Sequence, residues 1–333
     1  NGCARSTVKE TYEFILGDLN KAIELLANTK KTRSDKRYVS LDVAYGIRAR
    51  VHLTMHNYAD ALKDAEAALA STSSVPYSSA AVSKPTFIDI EDASWMWGIL
   101  ITDKDRVSTT GICNFPSHMG SLNYGYASVG GWRRISPKLY NQIPESDVRK
   151  GWFLDDTGVS VNLPAAAQAY ITKKGAPVYT QVKYGPMNDE WGSNNNATDV
   201  ILMRVEEMYL IKAEAQAMNN DVSGGVNTLN SFVNTYRDPS YKCTATTDEA
   251  VQEAVWHQRR IEFWGEGLAY FDIMRLNKGV NRLGCGFPKT AVFNIAAGDP
   301  VQIYSIPNKE VQYNPLLENN PLVSAPTPIP DEE

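Results

Sequence analysis

The chain has 333 residues, 43% hydrophobic and 21% charged, a composition that excludes a disordered chain and fits one large or two ordinary domains. Its 33 basic and 38 acidic residues leave a formal charge of −5 with no basic stripe, which excludes a role in binding nucleic acid. No apolar run reaches the ~18 residues of a membrane span, and the opening NGCARSTVKE lacks the basic-then-apolar order of a signal peptide.

Thr7 and Glu10 form a capping box, so a helix is expected to start there and to bury the stripe Val8, Tyr12, Ile15, Leu19, Ala22, Ile23 and Leu26. Cys3, just ahead of that helix with no leader before it, reads as an ordinary cysteine rather than a lipid-attachment site. After the polar stretch NTKKTRSDKR, Ser40 caps a helix carrying Val43, Ile47, Val51 and Met55. A turn at His56 and Asn57 leads into YADALKDAEAAL, whose Ala61, Ala65 and Ala68 let a second helix lie close against the first. This pair, with Ala44, Tyr58, Ala61 and Ala65 as contact points, resembles a tetratricopeptide unit.

Residues 71–198 differ in composition, being rich in Ser, Gly, Pro, Asn and aromatics, and are expected to form a long loop-rich insertion with only short helices, one of them opened by Ser136 and Pro137. Trp95 and Trp97 alternate with Met96 as a buried strand would, and both read as core. A second helix pair runs from Glu206 through a turn at Asn219 to about Tyr236. Thr246 and Glu249 form another capping box, Val251, Val255, Gln258 and Glu262 follow, and Gly265 and Gly267 interrupt the helix. Leu268, Phe271, Ile273 and Met274 then form a further apolar stripe, with Arg259–Glu262 and Asp272–Arg275 spaced to pair on the helix surface. The last residues, SAPTPIPDEE, read as a flexible tail over 324–333.

Catalytic constellations are not evident. His52 and His56 are four apart, but Leu53 stands where a zinc protease motif has its general base and no third ligand follows. Gly284, Gly286 and Lys289 lack the strand-to-helix context of a phosphate loop. Asp155–Asp156 and Asp189–Glu190 read as solvated loop charges, since sequence neighbours do not establish the spacing of a glycosidase pair. The four cysteines, Cys3, Cys113, Cys243 and Cys285, show no C-x-x-C spacing, and a Cys243–Cys285 disulfide stays open. No metal and no cofactor is expected.

Aromatics give the better functional case. Sugar rings stack their C–H faces on flat indole and phenol surfaces while their hydroxyls need amide, carboxylate or guanidinium partners. Two segments mix these groups: Ser121–Arg134, with Tyr124, Tyr126 and Trp132 among glycines, and Tyr184–Asp199, with Trp191 beside Asp189, Asn194 and other asparagines. Tyr124, Tyr126, Trp132, Trp191, Asp189 and Asn194 are the candidate ligand contacts, Trp132 being the one most suited to a framework role.

Three ordered motifs point to a family. EFWGEGLAYFDIMR (262–275) is similar to the E-x-x-x-E-G-x-R-x-x-D-x-x-R pattern of the SusD/RagB family, with Ala269 in place of the arginine. RVEEMYLIKAEA (204–215) resembles the family's R-x-A-E-x-Y-L-x-x-A-E-A helix, and IPNKEVQYNPLLENNP (306–321) its closing I-P-x-x-E-x-x-x-N-P-x-L-x-Q-N; GGWRRISPKLYNQIPESDVRK (130–150) looks like a fourth element. The resemblance implies a single, mostly α-helical fold, with 1–70 and 199–323 as helical scaffold and 71–198 as probable ligand side. It also implies a non-catalytic, surface-exposed outer-membrane lipoprotein that captures oligosaccharide for a TonB-dependent SusC-like transporter. The leader, anchor cysteine and first helical segment usual in the family are missing from this stretch. Peptide capture, as in the RagB branch, is the second reading, and a tetratricopeptide protein-interaction adaptor the third.

Overall fold

The computed structural model describes residues 2–29, 32–105 and 114–329, so Cys113 and residues 330–333 of the tail lie outside it. Helix α1 (Val8–Asn28) starts on the expected reciprocal cap: Thr7 Oγ1 accepts from the Glu10 N–H at 3.1 Å, and the Glu10 carboxylate accepts from the Thr7 N–H at 2.8 Å. It lies against α2 (Leu41–Thr54), where Arg48 donates to the Asn20 amide oxygen at 2.6 Å. Of its stripe only Ile23 is buried, and Val8 stands in solvent.

A three-residue turn, with His56 in the left-handed region, folds α3 (Tyr58–Ser71) back along α2. Ala61, Ala65 and Ala68 are fully buried in one cluster with Val43, Ala49 and Leu53, and Arg48 bridges to Asp64 at 2.6 Å across the pair. Small side chains permit the close approach that the sequence spacing predicts. The insertion then runs through α4 (Ser79–Val82), β1 (Trp95–Ile99), α5 (Phe115–Met119), α6 (Pro137–Tyr140) and α7 (Ala165–Lys173), all but the last of these being five residues or fewer. Strand β1 pairs antiparallel with β2 (Val200–Arg204), and a bulge between Trp95 and Trp97 breaks the alternation. Trp95 and Met96 are therefore both buried, while Trp97 is only half-buried and donates its indole N–H to the Arg37 carbonyl at 3.2 Å, which corrects the reading of both tryptophans as core.

Strand β2 leads directly into α8 (Val205–Met218), which pairs with α9 (Val222–Tyr236) as the second helical hairpin. Its Met208, Ile211 and Ala215 join the first hairpin's core, while Leu210, Ala213 and Ala217 face a separate cluster with Leu229, Phe232, Val251 and Val255. Helix α8 is apolar on two sides because it is the shared layer between two packings. Helix α10 (Asp248–Glu262) is capped by Thr247, whose hydroxyl accepts from the Ala250 N–H at 3.2 Å, one residue after the expected cap. The turn that ends it uses Gly265 and Gly267 at φ 79 and 82, values that favour glycine.

Helix α11 (Ala269–Arg275) inverts expectation. Phe271 and Met274 are exposed, and Asp272 and Arg275 are buried, because Asp272 pairs at 2.8 Å with both Arg259 and Arg275, and Arg275 also grips Glu214. The chain ends with β3 (Val280–Asn281) paired to β4 (Asn294–Ile295), then α12 (Asn308–Tyr313). There Asn319 accepts from the Ile306 N–H at 2.8 Å and donates to its carbonyl at 3.0 Å, closing the motif on itself. Cys3, Cys243 and Cys285 are free thiols, so the Cys243–Cys285 bridge does not form.

Ala65→Leu places three extra carbons at a fully buried α2–α3 contact and is expected to cost about 1–3 kcal/mol in urea unfolding. An unchanged midpoint would contradict the close packing.

Candidate functional site

The loops of the insertion hang on one carboxylate. Glu262, at the end of α10, is fully buried, and its Oε1 accepts from Arg204 at 2.6 Å and Arg237 at 2.8 Å, while Oε2 accepts from Arg237 at 2.8 Å and Arg149 at 3.0 Å. Arg149 belongs to the insertion and is also held by Asp147 at 2.6 Å. Lys183, the other insertion anchor, donates to the carbonyls of Glu262 and Trp264 at 3.0 Å each and to the Glu266 carboxylate at 2.6 Å, with its ammonium 4.4 Å from the Phe87 ring centroid. Glu206 completes the cluster, accepting from Arg237 at 3.1 Å and from the Tyr77 N–H at 2.9 Å. The expected Arg259–Glu262 surface pair is therefore absent, since Glu262 points inward to three other arginines. Ala269, the departure from the family pattern, is exposed and costs this cluster nothing.

Burial alone would raise the Glu262 carboxyl, but Arg237, Arg204 and Arg149 outweigh it and hold it well below the usual carboxylate range. Glu266 follows the same logic with Arg204 and Lys183, and Asp272 with Arg259 and Arg275. For Lys183 burial wins over Glu266 and lowers the ammonium to about 8.

Position passes from this cluster to the loops through the backbone. The Val182 N–H donates to the Trp152 carbonyl at 2.7 Å and the Gln181 N–H to the Arg133 carbonyl at 2.9 Å. The buried Gln181 amide also reaches the Met119 carbonyl and, at 3.2 Å, the Ser121 hydroxyl. Two residues from an anchored lysine, Gln181 thus fixes both ends of the segment that carries Tyr124, Tyr126 and Trp132. That segment meets the second one: the Tyr124 N–H donates to the Ser193 carbonyl at 2.7 Å, the Gly192 N–H to the Leu122 carbonyl at 2.8 Å, and Asn123 bonds the Asn196 side chain. Gly192, at φ 83, lets the Tyr170 ring approach where a Cβ would lie 2.6 Å from it.

Tyr124, Trp191 and Asn194 are brought together by this ladder, with Tyr126 two residues further on. Tyr124 is 48% exposed under the Lys174 ammonium, 5.0 Å from its ring centroid, and Tyr126 is 42% exposed with His118 stacked at 4.6 Å and Arg133 at 5.8 Å. Trp132 and Trp191 are half-buried and pack on the cluster of Leu122, Leu154, Ala167, Ile171 and Val182, so both rings also pin the loops. Asn194 is exposed; Asp189 is exposed on a turn of its own, where it and Asn188 take φ near 55. Tyr184, at the head of that segment, is buried core. Lys174 and Arg133, cations set against the tyrosines, were not picked out by the sequence because their partners are distant or backbone-positioned. His52 contacts Asp64 at 3.8 Å and His56 bonds the Arg275 carbonyl at 2.8 Å, and no metal-holding cluster occurs among the described residues.

Two helical hairpins separated by an electrostatically anchored, loop-built insertion define a discontinuous helical scaffold rather than a helical solenoid. The SusD family profile matches residues 146–322, over half of the chain, and the chain belongs to that family, whose members are non-catalytic binding proteins. It is similar in structure to a SusD-like carbohydrate binding protein from Bacteroides vulgatus, at 22% identity and TM-score 0.74, over 95% of this chain and 67% of that one. A SusD superfamily protein from Bacteroides thetaiotaomicron aligns at 22% identity and TM-score 0.77, over 97% and 68%, and one from Parabacteroides distasonis at 17% and 0.69, over 95% and 70%. At such identities these likenesses establish the fold. No curated protein matches the sequence.

Glu262→Gln removes the one carboxylate shared by three buried arginines, leaving them Asp147, Glu206 and Glu266, and is expected to destabilise by about 3–5 kcal/mol, measured by urea unfolding. A loss below ~1 kcal/mol would mean the arginines find other partners. In the pH profile, the depressed carboxyls contribute stability that is present above their unfolded values, 4.5 for Glu262 and Glu266 and 3.8 for Asp272, and is lost as pH falls through their lower folded values. Lys183 has the opposite window: between about 8 and 10.5 the unfolded chain holds a proton the folded one has released, so its contribution rises with pH there. Glu262→Gln should flatten the acid limb and Lys183→Met the alkaline one; limbs unchanged by either substitution would refute the assignment.

Proposed function

We propose that this protein captures oligosaccharide, without a covalent step, on the face formed by residues 121–134 and 184–199. Residues 1–70 and 199–323 act as its scaffold. The observation that carries this reading is the pair of exposed phenols, Tyr124 and Tyr126, fixed by a backbone ladder beside Trp191 and Asn194. Partly exposed phenol rings with cations and amides nearby suit the C–H face and hydroxyl rim of a sugar. A structural relative is itself described as a carbohydrate binding protein. Asp189 supplies a carboxylate acceptor at the margin, and Trp132 serves mainly to hold the loop. In keeping with the family, the captured sugar is handed to a TonB-dependent SusC-like transporter at the outer-membrane surface, where a lipid anchor holds the protein. No helix among the described residues is long and apolar enough to cross a membrane.

Calorimetry against an oligosaccharide panel, with a peptide library alongside, tests the reading. Trp191→Ala, Tyr124→Ala and Tyr126→Ala should each weaken sugar binding by about 1–3 kcal/mol, with melting near wild type for the two exposed tyrosines and lowered for Trp191, which also packs on the core. Unchanged sugar affinity in all three would move the site, and peptide binding alone would favour the RagB-like alternative.

A further inference from the structure

A cleft of about 620 Å³ lies between the stretch 140–153 and the loop 155–162, and it shares no lining residue with the aromatic face. Its size is that of a small-ligand site, which runs roughly from 300 to 1,000 Å³. Tyr140 and Tyr179 supply its aromatic wall, their ring centroids 5.2 Å apart at 58°, with the Lys150 ammonium 5.0 Å from the Tyr140 centroid. Tyr140 is only 8% exposed and lines the cleft, and its hydroxyl makes no hydrogen bond to the described residues. Burial first, then Asp155, Glu145 and Asp156, raise that phenol to about 12, so it stays a donor at neutral pH.

The charges around it are unevenly spent. Lys150 is committed to Glu145 at 2.5 Å and the Ile143 carbonyl at 3.0 Å, and Asp147 to Arg149 at 2.6 Å. Asp155 accepts on Oδ1 from the Thr157 N–H at 2.8 Å, the Thr157 hydroxyl at 2.7 Å and the Val159 N–H at 3.0 Å, and none of these three bonds uses Oδ2. Asp156 is exposed with no partner among the described residues. The uncompensated groups are thus two carboxylate acceptors and one phenol donor beside an aromatic wall. Vicinal hydroxyls satisfy such acceptors, and a ligand carboxylate or sulfate would meet like charge.

We infer that this cleft is a second saccharide site, independent of the aromatic face, that takes neutral or amine-bearing sugar units and rejects uronic or sulfated ones. It rests on the reading of the chain as a carbohydrate binder. The test titrates maltohexaose, xylohexaose, a glucosamine hexamer and hexagalacturonate into wild type, into the face variant Tyr124→Ala/Tyr126→Ala/Trp191→Ala, and into that variant carrying Tyr140→Phe and Asp156→Asn. The expected result is that at least one neutral or amine-bearing hexamer binds the face variant at a single site and loses at least tenfold in affinity when the cleft substitutions are added, whereas hexagalacturonate gives no such site. Asp156→Asn alone, at an exposed position, supplies the readout if the combined variant melts early. Binding abolished in the face variant but present in wild type would overturn the cleft and leave the face standing. The same affinity and stoichiometry in wild type and the face variant, lost only with the cleft substitutions, would support the cleft and overturn the face. Equal hexagalacturonate binding at the cleft would overturn its charge selectivity, and failure of every hexamer on wild type would overturn both sites.

Discussion

The carboxylate of Glu262 is the contact on which the arrangement of this protein turns. Four hydrogen bonds from three arginines fill its two oxygens in a fully buried position. Removing such charges from water costs several kcal/mol per ion, and only near-complete pairing repays it. The gain over an apolar core is therefore directional more than energetic. Each guanidinium is planar and each carboxylate lone pair has a direction, so the ends of β2, α9 and α10 and the start of the 148–152 segment have one mutual placement that satisfies all of them.

That placement explains how loops with so little regular structure can hold one shape. Segments 121–134 and 184–199 contain no helix beyond single turns, and their rings would be useless for recognition if they wandered. They are instead tied to Gln181, and Gln181 sits two residues from Lys183 in the same buried cluster. Rigidity is borrowed from the scaffold, and the tips stay free to vary.

Much of the scaffold was legible in the sequence because helices announce themselves locally. Thr7 with Glu10, the Ala61–Ala65–Ala68 spacing and the Gly265–Gly267 break all act within a few residues. The motif residues Arg204, Glu262, Glu266, Asp272 and Arg275 were visible too, but their role was not. Spacing suggested surface pairs, while their partners lie up to 113 residues away, and no local pattern encodes that. The inverted α11 has the same origin, since apolar periodicity presumes that charges face water. For the candidate site, the composition of the two loops indicated which rings to consider. The ladder joining them, and Lys174 and Arg133 set against the tyrosines, are consequences of tertiary contact. The cleft beside Tyr140 was legible only as Asp155–Asp156, two loop charges, because its aromatic wall joins residues 39 positions apart in the chain.

The location of Glu262 in the chain has a consequence for how the protein comes to be folded. A chain is made from its N-terminal end, and Arg149, Arg204 and Arg237 all precede their shared counter-ion. Until residue 262 arrives, these guanidiniums have only Asp147 and Glu206 to pair with, and the buried cluster is incomplete. The first hairpin can close early, since its contacts are short in sequence, whereas the loop face must wait for α10. Assembly is thus ordered from the scaffold outward, and the loops of the insertion are the last part of the molecule to acquire a definite shape.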